Sequence, residues 1–287
     1  MHLQKTRDRF RAQLGSDQCV YPASVFDPIS ARIAEDLGFE VGMFAGSVAS
    51  LTVLGDPDHI VLTLSEFAEQ AYRICRAGNL PILVDADHGY GNALNVKRTV
   101  EELETAGVAG LSIEDTDLPR PFGSCSDKAS LISIEEGAGK MRAAVAGRQD
   151  PSLVIAARTS AISITGLDDA IARIEAYQQT GVNAIFMIGV KEAQQLESIT
   201  NVCRLPLVLG GAGPDIMNLD YLSSMGVRIC LQGHQPVMAA IQAVHSTLKA
   251  LREGARPANL KGIPDKTLID RYTRMESYDR WTKEFLE

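Results

Sequence analysis

The chain has 287 residues, 45% of them hydrophobic and 22% charged, with a formal net charge of −8. This length admits one large α/β domain or two ordinary ones, and it buries a core without staples. The acidic balance leaves no electrostatic footprint for nucleic acid or an anionic membrane surface and fits an enzyme of small molecules. The first stretch, MHLQKTRDRFRAQL, is charged and amphipathic and lacks an apolar h-region, so no secretory signal is expected there. Short apolar runs then alternate with helical periodicity. The runs lie at 19–24, 41–46, 81–87, 110–115, 153–159, 184–189, 205–210 and 227–233. Each is too short for a buried helix and fits a strand covered on both faces. Helical patterns occupy 28–38, 63–78, 95–107, 134–147, 167–181, 190–199, 219–226 and 236–254.

Gly38, Gly78, Gly107, Gly181 and Gly226 close five of these helices just before the next strand, where glycine supplies a left-handed ending. Eight strands alternating with eight helices predict a (β/α)8 TIM barrel over residues 1–252. A doubly wound open sheet is the alternative, but its usual glycine-rich first turn is replaced here by SVFDPIS. Residues 253–287 begin as a Gly- and Pro-punctuated linker and continue as amphipathic C-terminal helices with the only tryptophan, Trp281. Those helices are expected to pack on this barrel or on a neighbouring subunit. Cys19, Cys75, Cys125, Cys203 and Cys230 are odd in number and form no C-x-x-C pair, which reads as a reduced, cytoplasmic chain. No apolar run reaches the ~18 residues of a membrane span.

In a TIM barrel the residues at the carboxyl ends of the strands share one rim, so they are read together. The second run ends in Gly46 and Ser47, the third in Asp85 and Asp87, the fourth in Glu114 and Asp115. The fifth ends in Arg158 and the eighth in His234. Asp85 and Asp87 stand two apart, and alternation predicts that they share a face. With Glu114 beside them, three carboxylates crowd one volume and either cap loop amides or hold a hard cation such as Mg²⁺. Arg158 closes an apolar run and needs an anion, either one of these acids or a substrate carboxylate. Gly46 and Ser47 sit in a turn whose amides and hydroxyl suit an oxyanion. His234 either moves a proton at the barrel mouth or is a satisfied loop residue, and His88 is expected to brace the aspartate loop. The long segment 117–133 carries Cys125 and Lys128. Nothing nearby in sequence lowers the Cys125 pKa, so a non-catalytic role is expected for it.

Taken in order, VFDPISARIAEDLGFEVGMFAGS, GDPDHIVLTLSEF, DADHGYGNALNVKRTV, LSIEDT and IAART resemble the phosphoenolpyruvate mutase and isocitrate lyase superfamily. The resemblance implies a (β/α)8 barrel acting on α-keto or α-hydroxy acids with Mg²⁺, Mn²⁺ being an alternative. It implies Asp85 as the direct metal ligand, with Asp58, Asp87 and Glu114 holding metal-bound waters. Gly46 and Ser47 would bind the pyruvoyl oxygens, and Arg158 a substrate carboxylate. It also implies a homotetramer, a dimer of dimers, that exchanges a C-terminal helix. The segment 115–130 lacks the lysine, glycine and histidine around the cysteine of the C–C lyases and the asparagine of the phosphonate enzymes. His234 and the DADHGYGNALNV loop are most similar to the oxaloacetate decarboxylase branch, with His234 and Arg158 as its catalytic pair. That branch implies Mg²⁺-dependent loss of CO₂ from oxaloacetate, a C–C lyase being the alternative.

Overall fold

The computed structural model of the chain describes residues 2–120, 122 and 129–287. Cys125 and Lys128 lie outside the described residues. In chain order the elements are α1 (His2–Leu14), β1 (Ala23–Ser24), α2 (Pro28–Asp36), β2 (Gly42–Ala45), α3 (Gly46–Ala49), α4 (Leu64–Cys75), β3 (Ile82–Asp85) and α5 (Ala93–Ala106). Then come β4 (Gly110–Glu114), α6 (Ile134–Gly147), β5 (Val154–Thr159), α7 (Ala161–Ile164), α8 (Leu167–Gln178), β6 (Ala184–Met187), α9 (Ala193–Val202) and β7 (Leu207–Leu209). The chain ends through α10 (Leu219–Ser224), β8 (Val227–Cys230), α11 (Gln235–Arg252), α12 (Lys266–Thr273) and α13 (Met275–Phe285).

Local chemistry sets the element boundaries. Asp27 with Ser30, Thr63 with Glu66, and Asn92 with Asn95 form capping boxes that start α2, α4 and α5. Gly38, Gly107, Gly181 and Gly226 take φ of 87°, 95°, 91° and 76° and end their helices as expected. Gly78 does not take a left-handed φ. A side chain there would meet the Glu35 carboxylate, which accepts the Asn79 N–H at 3.1 Å. Close approach, not backbone freedom, explains that glycine.

All eight strands run parallel in the order β1 to β8. The ring closes where Val20 donates its N–H to Arg228 O at 3.1 Å and accepts the Cys230 N–H at 3.0 Å. This is the expected (β/α)8 barrel. The first strand is shorter than its apolar run because Pro22 has no N–H to give to a ladder. The strands are buried almost throughout, as the apolar runs required. The amphipathic N-terminal stretch is α1, which docks beside the amino ends of the strands. Phe10 is fully buried, Arg7 donates to Val108 O at 3.1 Å, and Arg11 donates to Ser152 O at 2.7 Å.

The C-terminal elements divide differently from the sequence pattern. Of α11 only Val237 is buried, although the periodicity placed this helix on the barrel. Beyond it, α12 lies against α2. Arg274 grips Asp36 at 2.8 and 3.0 Å, and Arg32 donates to Tyr272 O at 3.0 Å. Among the described residues no helix is long and apolar enough to cross a membrane. Cys19, Cys75, Cys203 and Cys230 are all free and buried.

Candidate active site

Asp85 is the last residue of β3 and is buried. Ser112 Oγ donates to its Oδ1 at 2.9 Å, and the Arg158 guanidinium from β5 hydrogen bonds its Oδ2. The same guanidinium reaches Glu114 Oε2, at the end of β4, at 3.2 Å. Arg158 therefore takes the internal pairing, one of the two partners its sequence setting allowed. Its ring neighbour is Phe186, whose centroid lies 5.7 Å from the guanidinium carbon and whose backbone is its register partner on β6. Arg158 Nε is buried without a partner.

Asp87 corrects an expectation. It is not on the strand, because β3 ends at Asp85 and Asp87 takes a left-handed φ of 48°. Strand alternation therefore does not bring the two acids together. The loop does so with two strained non-glycine residues, Asp87 and Tyr90 (φ 60°), each costing roughly 1–3 kcal/mol. Gly89 and Gly91, at φ 80° and 145°, supply the remaining left-handed positions of the loop. The Asp87 carboxylate comes to rest against Gly46. A Cβ there would stand 2.3 and 2.6 Å from its two oxygens. Gly46 and Ser47 are also not in an open turn: they begin α3, which runs on into a π-helical turn at Ser50–Leu54. The first N–H groups of a helix have no acceptor within it, which keeps this strand end a place for negative charge.

The charges are uneven. Desolvation raises the Asp87 carboxyl well above its ordinary value, and Asp85, Glu114 and Asp58 add to the rise. Glu114 is also raised by desolvation, with Arg158 opposing and Asp85 assisting. Asp58 lies on the exposed loop before α4, in the field of Asp85. Desolvation first and Asp85 second raise its carboxyl. Among the described residues no three His, Cys, Asp or Glu side chains form a ready-made metal cage. The donor set is instead all oxygen, with more negative charge than Arg158 balances. That chemistry suits a hard divalent cation holding few direct protein ligands and several waters.

His234 precedes α11 and faces β1, where Ser24 Oγ lies 2.9 Å from its Nδ1. Desolvation lowers its pKa while Asp85 pulls the other way, so the ring is neutral at neutral pH. His88 is buried and its pKa is pushed down to about 4 by desolvation and then by Lys140. Its ring centroid lies 6.1 Å from that of Tyr90, the two rings tilted by 41°.

Asp115 faces away from its neighbour Glu114. It accepts from Arg173 at 2.9 Å and from the Tyr177 hydroxyl at 2.8 Å, all three side chains being buried. Asp115→Ala is expected to lower stability by roughly 3 kcal/mol, because it strips one anion from a buried arginine that keeps Asp169. Urea unfolding measures this. A change under about 0.5 kcal/mol, typical of a surface site, would contradict the network.

Three rim residues escaped the sequence reading. Ser24 ends the first apolar run and was legible by the same rule that picked the other strand ends. Ser112 and Phe186 act through cross-strand register, which no single strand displays.

The sequence profile of phosphoenolpyruvate phosphomutase matches residues 10–252. The chain is 58% identical over 274 residues to a protein named oxaloacetate decarboxylase from Bradyrhizobium diazoefficiens, covering 96% of this chain and 94% of that one. The phosphoenolpyruvate phosphomutase structure from Streptomyces platensis subsp. rosaceus superposes with a TM-score of 0.86 at 28% identity, covering 98% of this chain and 99% of that one. A phosphonopyruvate hydrolase in complex with oxalate and Mg²⁺ superposes with a TM-score of 0.85 at 27% identity, covering 99% and 100%. With that match spanning most of its length, the chain belongs to the phosphoenolpyruvate phosphomutase family.

Proposed function

We propose that this chain is an oxaloacetate decarboxylase that releases pyruvate and CO₂ with the help of Mg²⁺, or Mn²⁺ in its place. The observation that carries the proposal is the 58% identity to a protein of that name, joined to a rim that sets an acid cluster, Arg158 and His234 together. Asp85 would hold the cation directly, and Asp58, Asp87 and Glu114 would hold it through water. When bound, the cation supplies Lewis-acid polarisation of the substrate's keto oxygen.

The chain's own residues do the rest. The Gly46 and Ser47 end of α3 directs donors at the keto acid's oxygens, where negative charge grows as CO₂ departs. Arg158, already desolvated and steadied over Phe186, binds a substrate carboxylate from its Nε edge, the side of the guanidinium that its pairing with Asp85 and Glu114 leaves without a partner. His234 is neutral and held at one ring nitrogen by Ser24, so it arrives oriented. It places the leaving end of the substrate or returns a proton to C3.

Purified protein, Mg²⁺ and oxaloacetate should yield pyruvate and CO₂ faster than Mg²⁺ alone. A rate equal to the metal-only background overturns the proposal, as does release of oxalate and acetate in place of pyruvate. His234→Gln is expected to lower kcat by roughly 10²-fold, the usual worth of a positioned acid or base. Ser24→Ala should give a smaller loss in the same direction. Stopped-flow pyruvate formation checks both, and an unchanged kcat in His234→Gln would reduce this histidine to a loop brace.

The same proposal includes a cytoplasmic homotetramer. Met238, Ile241, Val244 and Leu248 stand exposed along α11. Beside α2 lies a cavity of about 500 Å³ lined by Ile29, Ile33, Leu37 and Phe39 among others. An α11 exchanged between subunits would cover both apolar surfaces. A monomeric mass in light scattering would count against it.

A further inference from the structure

Three successive carbonyls of the acid loop are each taken by a different element. The Glu114 N–H of β4 donates to Asp87 O at 2.8 Å. The Lys140 ammonium of α6 donates to His88 O at 3.1 Å, and the Thr99 hydroxyl of α5 donates to Gly89 O at 3.1 Å. The β4 contact extends the neighbouring ladder. The other two come from side chains on helices outside the barrel.

We propose that Lys140, assisted by Thr99, is a positioning residue for the metal loop: holding the His88 and Gly89 carbonyls sets where the Asp87 carboxylate stands. The proposal rests on the divalent-cation reading of the acid cluster.

Lys140 is 3% exposed and makes no ion pair among the described residues. A buried ammonium is costly, and a methionine would fill the same volume without that cost. Its one side-chain hydrogen bond among the described residues is charge-assisted and falls on the residue between Asp87 and Gly89. Thr99 is fully buried and spends its hydroxyl on the next carbonyl. Both donors converge where the backbone most needs holding. Asp87 and Tyr90 are left-handed without being glycine, and past the Glu114 contact to Asp87 O the two carbonyls between them are held only by the Lys140 and Thr99 side chains among the described residues. Desolvation pushes the Lys140 pKa down, while Glu136, Asp117, Glu114 and Asp115 push it back up, so the ammonium stays within the field of the acid rim.

The same helix ties the loop to a second region. Residues 115–117 pair with 130–132 just ahead of α6: Asp117 donates its N–H to Ser130 O at 2.8 Å, and Ile132 to Asp115 O at 3.0 Å. Lys140 thus anchors the acid loop to the helix that this short ladder leads into.

Mn²⁺ is the probe, titrated into the full-length protein without substrate and followed by electron paramagnetic resonance. Lys140→Met is expected to weaken Mn²⁺ binding roughly 10-fold or more, the usual cost of losing a group that orients metal ligands. Turnover at saturating Mn²⁺ should fall less than the affinity does. A space-filling lysine would change Tm and leave the Mn²⁺ affinity alone, and that result overturns the proposal. If Lys140→Met does not fold, Thr99→Val removes the neighbouring donor at nearly constant volume. Unchanged affinity in a folded Thr99→Val protein equally overturns it. Absence of Mn²⁺ binding by the unaltered chain is a different failure: it removes the cation reading itself, and the proposal with it.

Discussion

Asp85→Asn is expected to abolish metal-supported decarboxylation while leaving the barrel almost as stable as before. The two halves of this result have separate causes. In the proposed role of Asp85 as direct ligand, its loss would forfeit several kcal/mol of charge stabilisation at the substrate's keto oxygen, roughly a 10³-fold drop in kcat/KM. Breaking a buried ion pair ordinarily costs about 3–5 kcal/mol, because it strands the surviving charge. Arg158 is not stranded here, since Glu114 Oε2 remains at 3.2 Å. The Asp85 charge also raises the carboxyls of Asp58, Asp87 and Glu114 after desolvation has done so, and its removal relieves all three. The net change in unfolding free energy should stay below about 2 kcal/mol. Steady-state kinetics over a Mg²⁺ series and urea unfolding test the two halves separately. Full activity would move the direct ligand elsewhere. A large stability loss would mean that Asp85 is chiefly the structural partner of Arg158.

Gly46→Ala should have the next largest effect, and for a steric reason. The new methyl would sit 2.3 and 2.6 Å from the two Asp87 oxygens. Real carbon–oxygen contacts do not come that close, so one side must yield. Gly46 is fixed between β2 and α3, whereas Asp87 stands on a strained loop. The carboxylate is therefore the group that moves, by about 1 Å. A misplacement of that size costs roughly 10²-fold in rate. The overpacking itself should cost about 1–3 kcal/mol. Thermal unfolding and kcat/KM measure the two effects. A folded Gly46→Ala protein with undiminished kcat/KM would show that the position of Asp87 does not matter to turnover.

The barrel was legible because it rests on period. Eight buried runs and eight helical patterns appear as strands and helices near the expected positions, and the glycine helix endings hold at four of five places. The rim was legible because the carboxyl ends of such strands share one face, which groups Asp85, Glu114 and Arg158 from strand order alone. The rest depends on distances that sequence does not carry. Asp87 could be named from its spacing, yet its placement comes from a left-handed backbone and the absence of a side chain at Gly46. The partners of Arg158 and His234 lie on other strands, so Phe186 and Ser24 become visible only through register and ring closure. The undocked face of α11 was hidden for the opposite reason. Its periodicity is that of any barrel helix, and periodicity says which face is apolar, not whose core will cover it.

The ring's last joint gives His234 a second meaning. Seven of the eight strand junctions are ladders, the β7–β8 one shifting register between Leu207 and Val208, while the backbone of the eighth is joined through an isolated bridge at Val20. Ser24 stands on one side of that joint and His234 on the other, so their hydrogen bond spans it like a clasp. The acid loop belongs to β3 and β4, well inside the continuous part of the sheet. Any slackening of the barrel should therefore begin at this seam and misalign the histidine first, while Asp85 and Glu114 keep their places. On the role proposed for His234, turnover would then fail before cation binding does, and the pace of the reaction would become a gauge of how tightly the cylinder is shut.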